Sequence, residues 1–142
     1  MASLPGKRIV RPTDVETLVF DWGTIKWLSE PRVTNADRFS LGVVIMQPGT
    51  GHARHNHPGC EEALYVVSGQ GSQMVDVDGE LWSPIGPGDV VHLPPDAFHA
   101  TVNTGWEPLK MVAVYSPPGA EALLRSLPDC KVIPPGELPP QS

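Results

Sequence analysis

The sequence predicts an all-β fold, a double-sheet jelly roll with a short C-terminal helix and a proline-rich tail. Three observations lead there. Seventeen prolines and fourteen glycines break the chain at short intervals. The apolar runs between these breaks are short and bounded by turn residues, as in a sandwich or barrel, and helical periodicity is nearly absent. Counting the runs gives roughly eight to ten strands, the number a jelly roll needs.

Residues 1–14 read as a loose arm or edge strand, and Val15 to Phe20 alternates weakly enough to be a strand. Trp22, Trp27 and Leu28 are expected to cover an open end of the barrel or a dimer surface. Phe39 to Gln47 is rich in Val and Ile and stops at Pro48-Gly49, as a buried strand should. Ala53 to His57 is the next short strand, with Ala53, His55 and His57 inward, Arg54 outward, and His52 outward or in the preceding loop. Glu62 to Ser68 is an apolar strand broken by Gly69. Ser72 to Val77, Asp78-Gly79 and Glu80 to Trp82 form an Asp-Gly hairpin signal. Pro84 to Gly88 is a turn cluster, Asp89 to Leu93 a strand, Phe98 to Asn103 another, and Leu109 to Tyr115 closes the core. Ala120 to Leu127 follows Pro117-Pro118-Gly119 as a short helix packed on the outside. The tail from Lys131 carries four prolines and is expected to lie extended against its own barrel or a partner's.

Length bounds the chain to one domain: an arm with edge strands over 1–38, a barrel core over 39–116, and helix plus tail over 117–142. A formal net charge of −6, with no basic run, argues against a nucleic-acid partner. Lys7 and Arg8 are not followed by an apolar signal segment, and no run is long enough to cross a membrane, so a cytoplasmic protein is expected. Cys60 and Cys130 do not read as a disulfide framework. Cys60, between His57 and Glu62, is read as an inert small loop residue in preference to a reactive thiol.

The chemistry concentrates in the histidines. Of five, at 52, 55, 57, 92 and 99, two stand one residue apart in His55-Asn56-His57. On a strand such a pair shares a face, so both imidazoles can reach one ion. Glu62 follows on the next segment, and parity along that strand puts it with Leu64 and Val66, leaving Glu61 outside with Tyr65. With His99, these residues form a three-nitrogen, one-oxygen set suited to manganese, iron, cobalt, nickel or zinc. Imidazole serves well near neutral pH because its ordinary pKa lies near 6.5, so the metal competes easily with the proton.

Gly49, His55, His57, Glu62 and Gly69 are followed by Gly88, Pro94, His99 and Asn103. These positions resemble the two motifs of the cupin superfamily, G-x5-H-x-H-x3,4-E-x6-G and G-x5-P-x-G-x2-H-x3-N. The one departure is Asp96 in place of a glycine, and aspartate tolerates left-handed turns better than most residues. The resemblance implies a cupin-type jelly roll holding one divalent transition metal, reached from one mouth, with His55, His57, Glu62 and His99 as ligands. Gly49, Gly69, Gly88, Pro94 and Asn103 are then structural, Asn103 satisfying backbone groups at a strand end. His92 is the candidate supporting residue or proton shuttle. If Pro94 to Ala97 make a four-residue turn, His92 pairs with His99 and shares its face, whereas a shift of one residue turns it outward.

Four protein ligands leave up to two positions on a six-coordinate ion for substrate, water or dioxygen. The resemblance therefore points to a small-molecule enzyme, with dioxygenase-type chemistry favoured and isomerase, lyase or decarboxylase chemistry close behind. The alternative is a non-catalytic module that binds or senses a small carboxylate or sugar. A homodimer is the family's default.

Overall fold

The computed structural model describes residues 4–139. Eleven strands are arranged in two antiparallel sheets. They are β1 (Thr17–Phe20), β2 (Gly23–Ser29), β3 (Ser40–Met46), β4 (Gly51–His55), β5 (Glu61–Ser68), β6 (Gly71–Asp76), β7 (Glu80–Ile85), β8 (Val90–Leu93), β9 (Phe98–Asn103), β10 (Leu109–Ser116) and β11 (Lys131–Ile133). The larger sheet runs β11-β1-β2-β3-β10-β5-β8 and the smaller β4-β9-β6-β7. Two short α-helices, α1 (Pro31–Thr34) and α2 (Ala120–Arg125), and a 3-10 turn at Pro12–Asp14 complete the regular structure of the described residues. No helix among the described residues is long and apolar enough to cross a membrane.

Alternation builds the core. Along β3 burial alternates strictly, with Val44 and Met46 inside and Val43 and Ile45 only half-buried on the outer face. β10 does the same with Leu109, Met111, Ala113 and Tyr115. Leu64 and Val66 of β5 meet Leu18, Ile25 and Trp27 from β1 and β2 in one continuous apolar cluster. The inner face of the smaller sheet is different: Gln73, His99, Thr101 and Asn103 are all buried there. Buried polar groups need partners. The Thr101 hydroxyl donates to Gln73 Oε1 at 2.6 Å, and Gln73 Nε2 donates to the Met74 carbonyl at 3.1 Å. The barrel thus has one apolar wall and one polar wall.

The structure corrects several expectations. Trp27 is core, packed on Tyr115, and covers no open surface, because β2 continues the large sheet. The hairpin loop is three residues, since Asp76 pairs with Glu80, and Gly79 takes φ +112. Pro84 lies within β7, which tolerates it as an edge strand that lacks a neighbour on one side. The tail adds β11 to the chain's own β1. Most consequentially, β8 and β9 flank the Pro94–Ala97 turn without pairing: β8 joins β5 in the large sheet, and β9 lies between β4 and β6. The link crosses between sheets, so parity cannot be carried through it.

Candidate metal centre

The centre is built where the polar wall meets the mouth. His99 sits on β9 and is buried. It accepts its neighbours' geometry from Ala97, whose carbonyl takes the Nδ1–H at 3.1 Å. His55 ends β4 and donates Nδ1–H to the Ala53 carbonyl at 2.6 Å. In both rings that bond fixes the tautomer and leaves Nε2 as a free lone pair aimed inward. The two residues pair directly across the strands, and their rings lie 4.2 Å apart.

His57 lies beyond the end of β4, in the loop that leads to β5, and not in the strand as the sequence suggested. The loop is held by the turn between β8 and β9. Gly59 N–H donates to Asp96 Oδ1 at 2.7 Å, Asn56 Nδ2 to the Asp96 carbonyl at 3.0 Å, and Cys60 N–H to the His57 carbonyl at 3.0 Å. Asp96 itself takes φ +70, so the residue that departs from the motif glycine both adopts the left-handed turn and adds a tie a glycine lacks. Cys60 in this loop has its thiol pKa raised by burial and by Glu62 nearby, which suits a packed residue more than a nucleophile.

Glu62 faces inward on β5 and is buried, while Glu61 faces out. Its Oε1 lies 3.4 Å from His99 Nε2 and 3.9 Å from His57 Nε2. His57 Nε2 and Glu62 Oε1 are buried with no hydrogen-bond partner. The ligand nitrogens of His55, His57 and His99 lie within 4.8 Å of one another. Donors about 2.1 Å from a shared ion stand roughly 3 to 4 Å apart, so the separations fit one cation, and such an ion would satisfy the two orphaned atoms. Burial lowers the pKa of His57 and His99 to about 4 and holds that of His55 below its ordinary value, so all three are neutral and able to coordinate. Burial raises Glu62 to about 8, although Tyr115, which hydrogen-bonds it, pulls the other way. A divalent charge is what such a carboxyl lacks.

Two residues fall elsewhere than the sequence suggested. His92 is exposed on the outer face of β8 and pairs with Glu61, so it takes no part in the centre. The crossing of the link between sheets is the reason. His52, by contrast, is inside. A bulge between His52 and His55 puts an extra residue into β4, which turns Ala53 out and brings His52 in beside His55, ring centroids 3.8 Å apart. Strict alternation from His55 gives the opposite answer, and nothing in the local sequence announces the bulge. Asn103 does what the motif implied: Nδ2 donates to the Met46 and Glu107 carbonyls at 2.9 and 2.8 Å, and Oδ1 accepts from Gly105 N–H at 2.9 Å. Gly49, Gly69 and Gly88 all take positive φ. At Gly69 the need is also steric, since a Cβ would lie 2.5 Å from the Pro108 carbonyl oxygen. Pro94 accepts the Ala97 N–H that closes the turn.

Comparison with known proteins agrees with this geometry. Residues 42–115 match the Cupin domain family. The chain is 34% identical over 110 residues to the polyketide synthase CurC of Streptomyces cyaneus, covering 78% of this chain and 70% of that one. It is 43% identical over 63 residues to the glucose-6-phosphate isomerase of Thermococcus kodakarensis, covering 43% of this chain. The fold superposes on the Lactobacillus farciminis oxalate decarboxylase formate complex with a TM-score of 0.69 and 30% identity over 75% of this chain. This chain spans about a third of the isomerase (33%) and of the decarboxylase (32%). The match over more than half of the chain, both motifs and the antiparallel two-sheet barrel place the chain in the cupin superfamily.

Proposed function

We propose that this cupin is a metal-dependent enzyme acting on a small, oxygen-rich molecule, with His55, His57, His99 and Glu62 holding one divalent ion. The observation that carries it is the convergence of three neutral imidazoles on a buried carboxylate, with His57 Nε2 and Glu62 Oε1 left unpartnered. Iron, manganese, cobalt, nickel and zinc all suit the donor set. A bound ion of this kind supplies Lewis acidity to a substrate oxygen and, if iron or manganese, access to redox chemistry. The chain does the rest. Backbone carbonyls at Ala53 and Ala97 hold two imidazoles in place, and Tyr115 orients Glu62. Ile25, Val44, Met46, Leu64 and Met111 line the cavity and exclude bulk water. That cavity is narrow and opens to solvent at one side, which supports a small substrate.

The names among the similar proteins, an isomerase and a decarboxylase, support net reactions that consume no dioxygen. Dioxygenase chemistry remains the competing reading, and oxygen uptake with substrate separates the two. The first test is metal content. About one divalent ion per chain is expected in untagged wild type purified without chelator, and less than a tenth of that in His55→Ala/His57→Ala. A wild type that takes up no metal on reconstitution would remove the enzymatic reading and leave a ligand-binding barrel.

A second copy of the chain is the proposed partner, and the outer face of the large sheet supports it. Val43, Val112, Tyr65 and Val90 are register neighbours across β3, β10, β5 and β8, and Tyr65 and Val90 are 49% and 65% exposed. An exposed apolar row running across four strands suits a second sheet laid face to face by a two-fold axis. Light scattering is expected to give a dimer for wild type and a monomer for Tyr65→Asp/Val90→Asp, at unchanged metal content.

A further inference from the structure

His52 is the one imidazole in the cavity that the metal centre does not use. It lines the same cavity as His55, His99, Glu62, Thr101 and Tyr115. Its ring is clamped: Trp22 stacks on one side at 5.3 Å and 24°, and His55 lies on the other at 3.8 Å. Trp22 is itself stacked on Phe20 at 5.0 Å and 3°. The column Phe20–Trp22–His52 therefore holds the imidazole in one orientation before any ligand arrives. No hydrogen bond from protein bears on either ring nitrogen among the described residues. The bulge in β4 is what turns this polar ring inward. The opposite wall contributes Ile25, Val44, Met46, Leu64 and Met111 to the cavity, with Glu62 and Tyr115 as its polar groups. Along β4 from His55, the next polar ring that a ligand oxygen can meet is His52, cross-strand from Thr101, whose hydroxyl is already committed to Gln73.

From this geometry we infer that His52 is a substrate-positioning residue, hydrogen-bonding an outer oxygen of a small oxyacid whose inner oxygen sits at the His55, His57, His99 and Glu62 centre. The inference rests on the proposed metal centre and adds the ligand class: a compact molecule with oxygens on neighbouring carbons, one facing the ion and one facing the β4 wall. A preorganised imidazole of this kind gives selectivity more than raw affinity, because a ligand lacking the outer oxygen leaves it unpaired.

The test uses cobalt(II)-loaded full-length protein and its visible spectrum, with oxalate as the oxygen-bearing probe and azide as a control anion that has no outer oxygen. His52→Phe keeps a ring to stack on Trp22 but has no nitrogen, and His52→Gln keeps a donor without the stack. The expected result is about tenfold weaker oxalate binding in His52→Phe, with cobalt stoichiometry and azide affinity within about twofold of wild type. His52→Gln should recover most of the oxalate affinity. Equal weakening of oxalate and azide in both variants would make His52 a purely structural residue and overturn the inference. So would unchanged oxalate binding in His52→Phe. A wild type that takes up no cobalt would instead overturn the metal centre itself, and this inference with it.

Discussion

Between pH 6.5 and 8, chelator-treated wild type is expected to lose about 1.5 kcal/mol of stability relative to Glu62→Gln. The cause is burial, which raises the Glu62 carboxyl to about 8 from the ordinary carboxyl range. Over that pH window the unfolded chain carries an ionised Glu62 and the folded chain a protonated one. A carboxyl whose folded pKa is raised contributes stability at low pH and loses it as pH rises through the folded value, with a slope of about −1.4 kcal/mol per unit. The buried histidines act in the opposite sense, since the folded chain keeps His52 at about 3 and His57 and His99 at about 4. They gain stability as pH rises toward the unfolded histidine range, and they are common to both proteins, so the comparison with Glu62→Gln isolates the carboxyl. Urea unfolding at several pH values measures it. Saturating divalent metal should reverse the trend, because the ion requires the charged carboxylate. At a thousandfold excess over Kd it should add about 4 kcal/mol to wild type. A wild type that tracks the glutamine variant at every pH would mean that Glu62 ionises freely and that the centre is more hydrated than its geometry implies.

Much of this centre is legible in the sequence because the information is local. His55, His57 and Glu62 lie within eight residues, and parity along β5 separates Glu62 from Glu61 correctly. His99 is legible through its motif spacing, and Asn103 likewise. The strand ends follow from proline and glycine, as at Pro48-Gly49, where β3 stops two residues earlier. What fails is everything that depends on registry between distant segments. His92 would pair with His99 only if a tight turn joined paired strands, and the turn at Pro94–Ala97 instead hands the chain from one sheet to the other. His52 was placed outside by counting in twos, and one bulge reverses the count. Trp27 was read as surface because a large aromatic near a turn has no local signal for depth. Its burial comes from lying over Gly42 of β3 and against Tyr115 of β10 on the inner face of the same sheet.

The other large effect lies outside the metal set. Asn103→Ala is expected to cost about 4 kcal/mol, a large part of the stability of a domain of this size. The side chain is 1% exposed, and three of the four hydrogen bonds it can make go to backbone groups. Its Nδ2 reaches the Met46 carbonyl at the end of β3 and the Glu107 carbonyl before β10, and its Oδ1 holds Gly105 N–H in the intervening loop. Alanine would strand two carbonyls and one N–H where solvent enters poorly, and each such loss costs about 1–3 kcal/mol. Asn103→Asp should be no milder, since it keeps the acceptor but turns the donor into a charge facing two carbonyl oxygens. Backbone bonds Gly49 N–H to the Asn103 carbonyl, 3.2 Å, and Asn103 N–H to the Thr50 carbonyl, 2.9 Å, tie the same residue to the loop entering β4. Asn103 therefore joins the strand that carries His99 to the loop leading into the strand that carries His52 and His55. Asn56→Ala is the control, because it removes one exposed bond to the Asp96 carbonyl and should cost under about 1 kcal/mol. Chemical denaturation of the three proteins decides it: a cost below about 1 kcal/mol for Asn103→Ala would show that water replaces the side chain, and that the motif asparagine is not what fixes this end of the barrel.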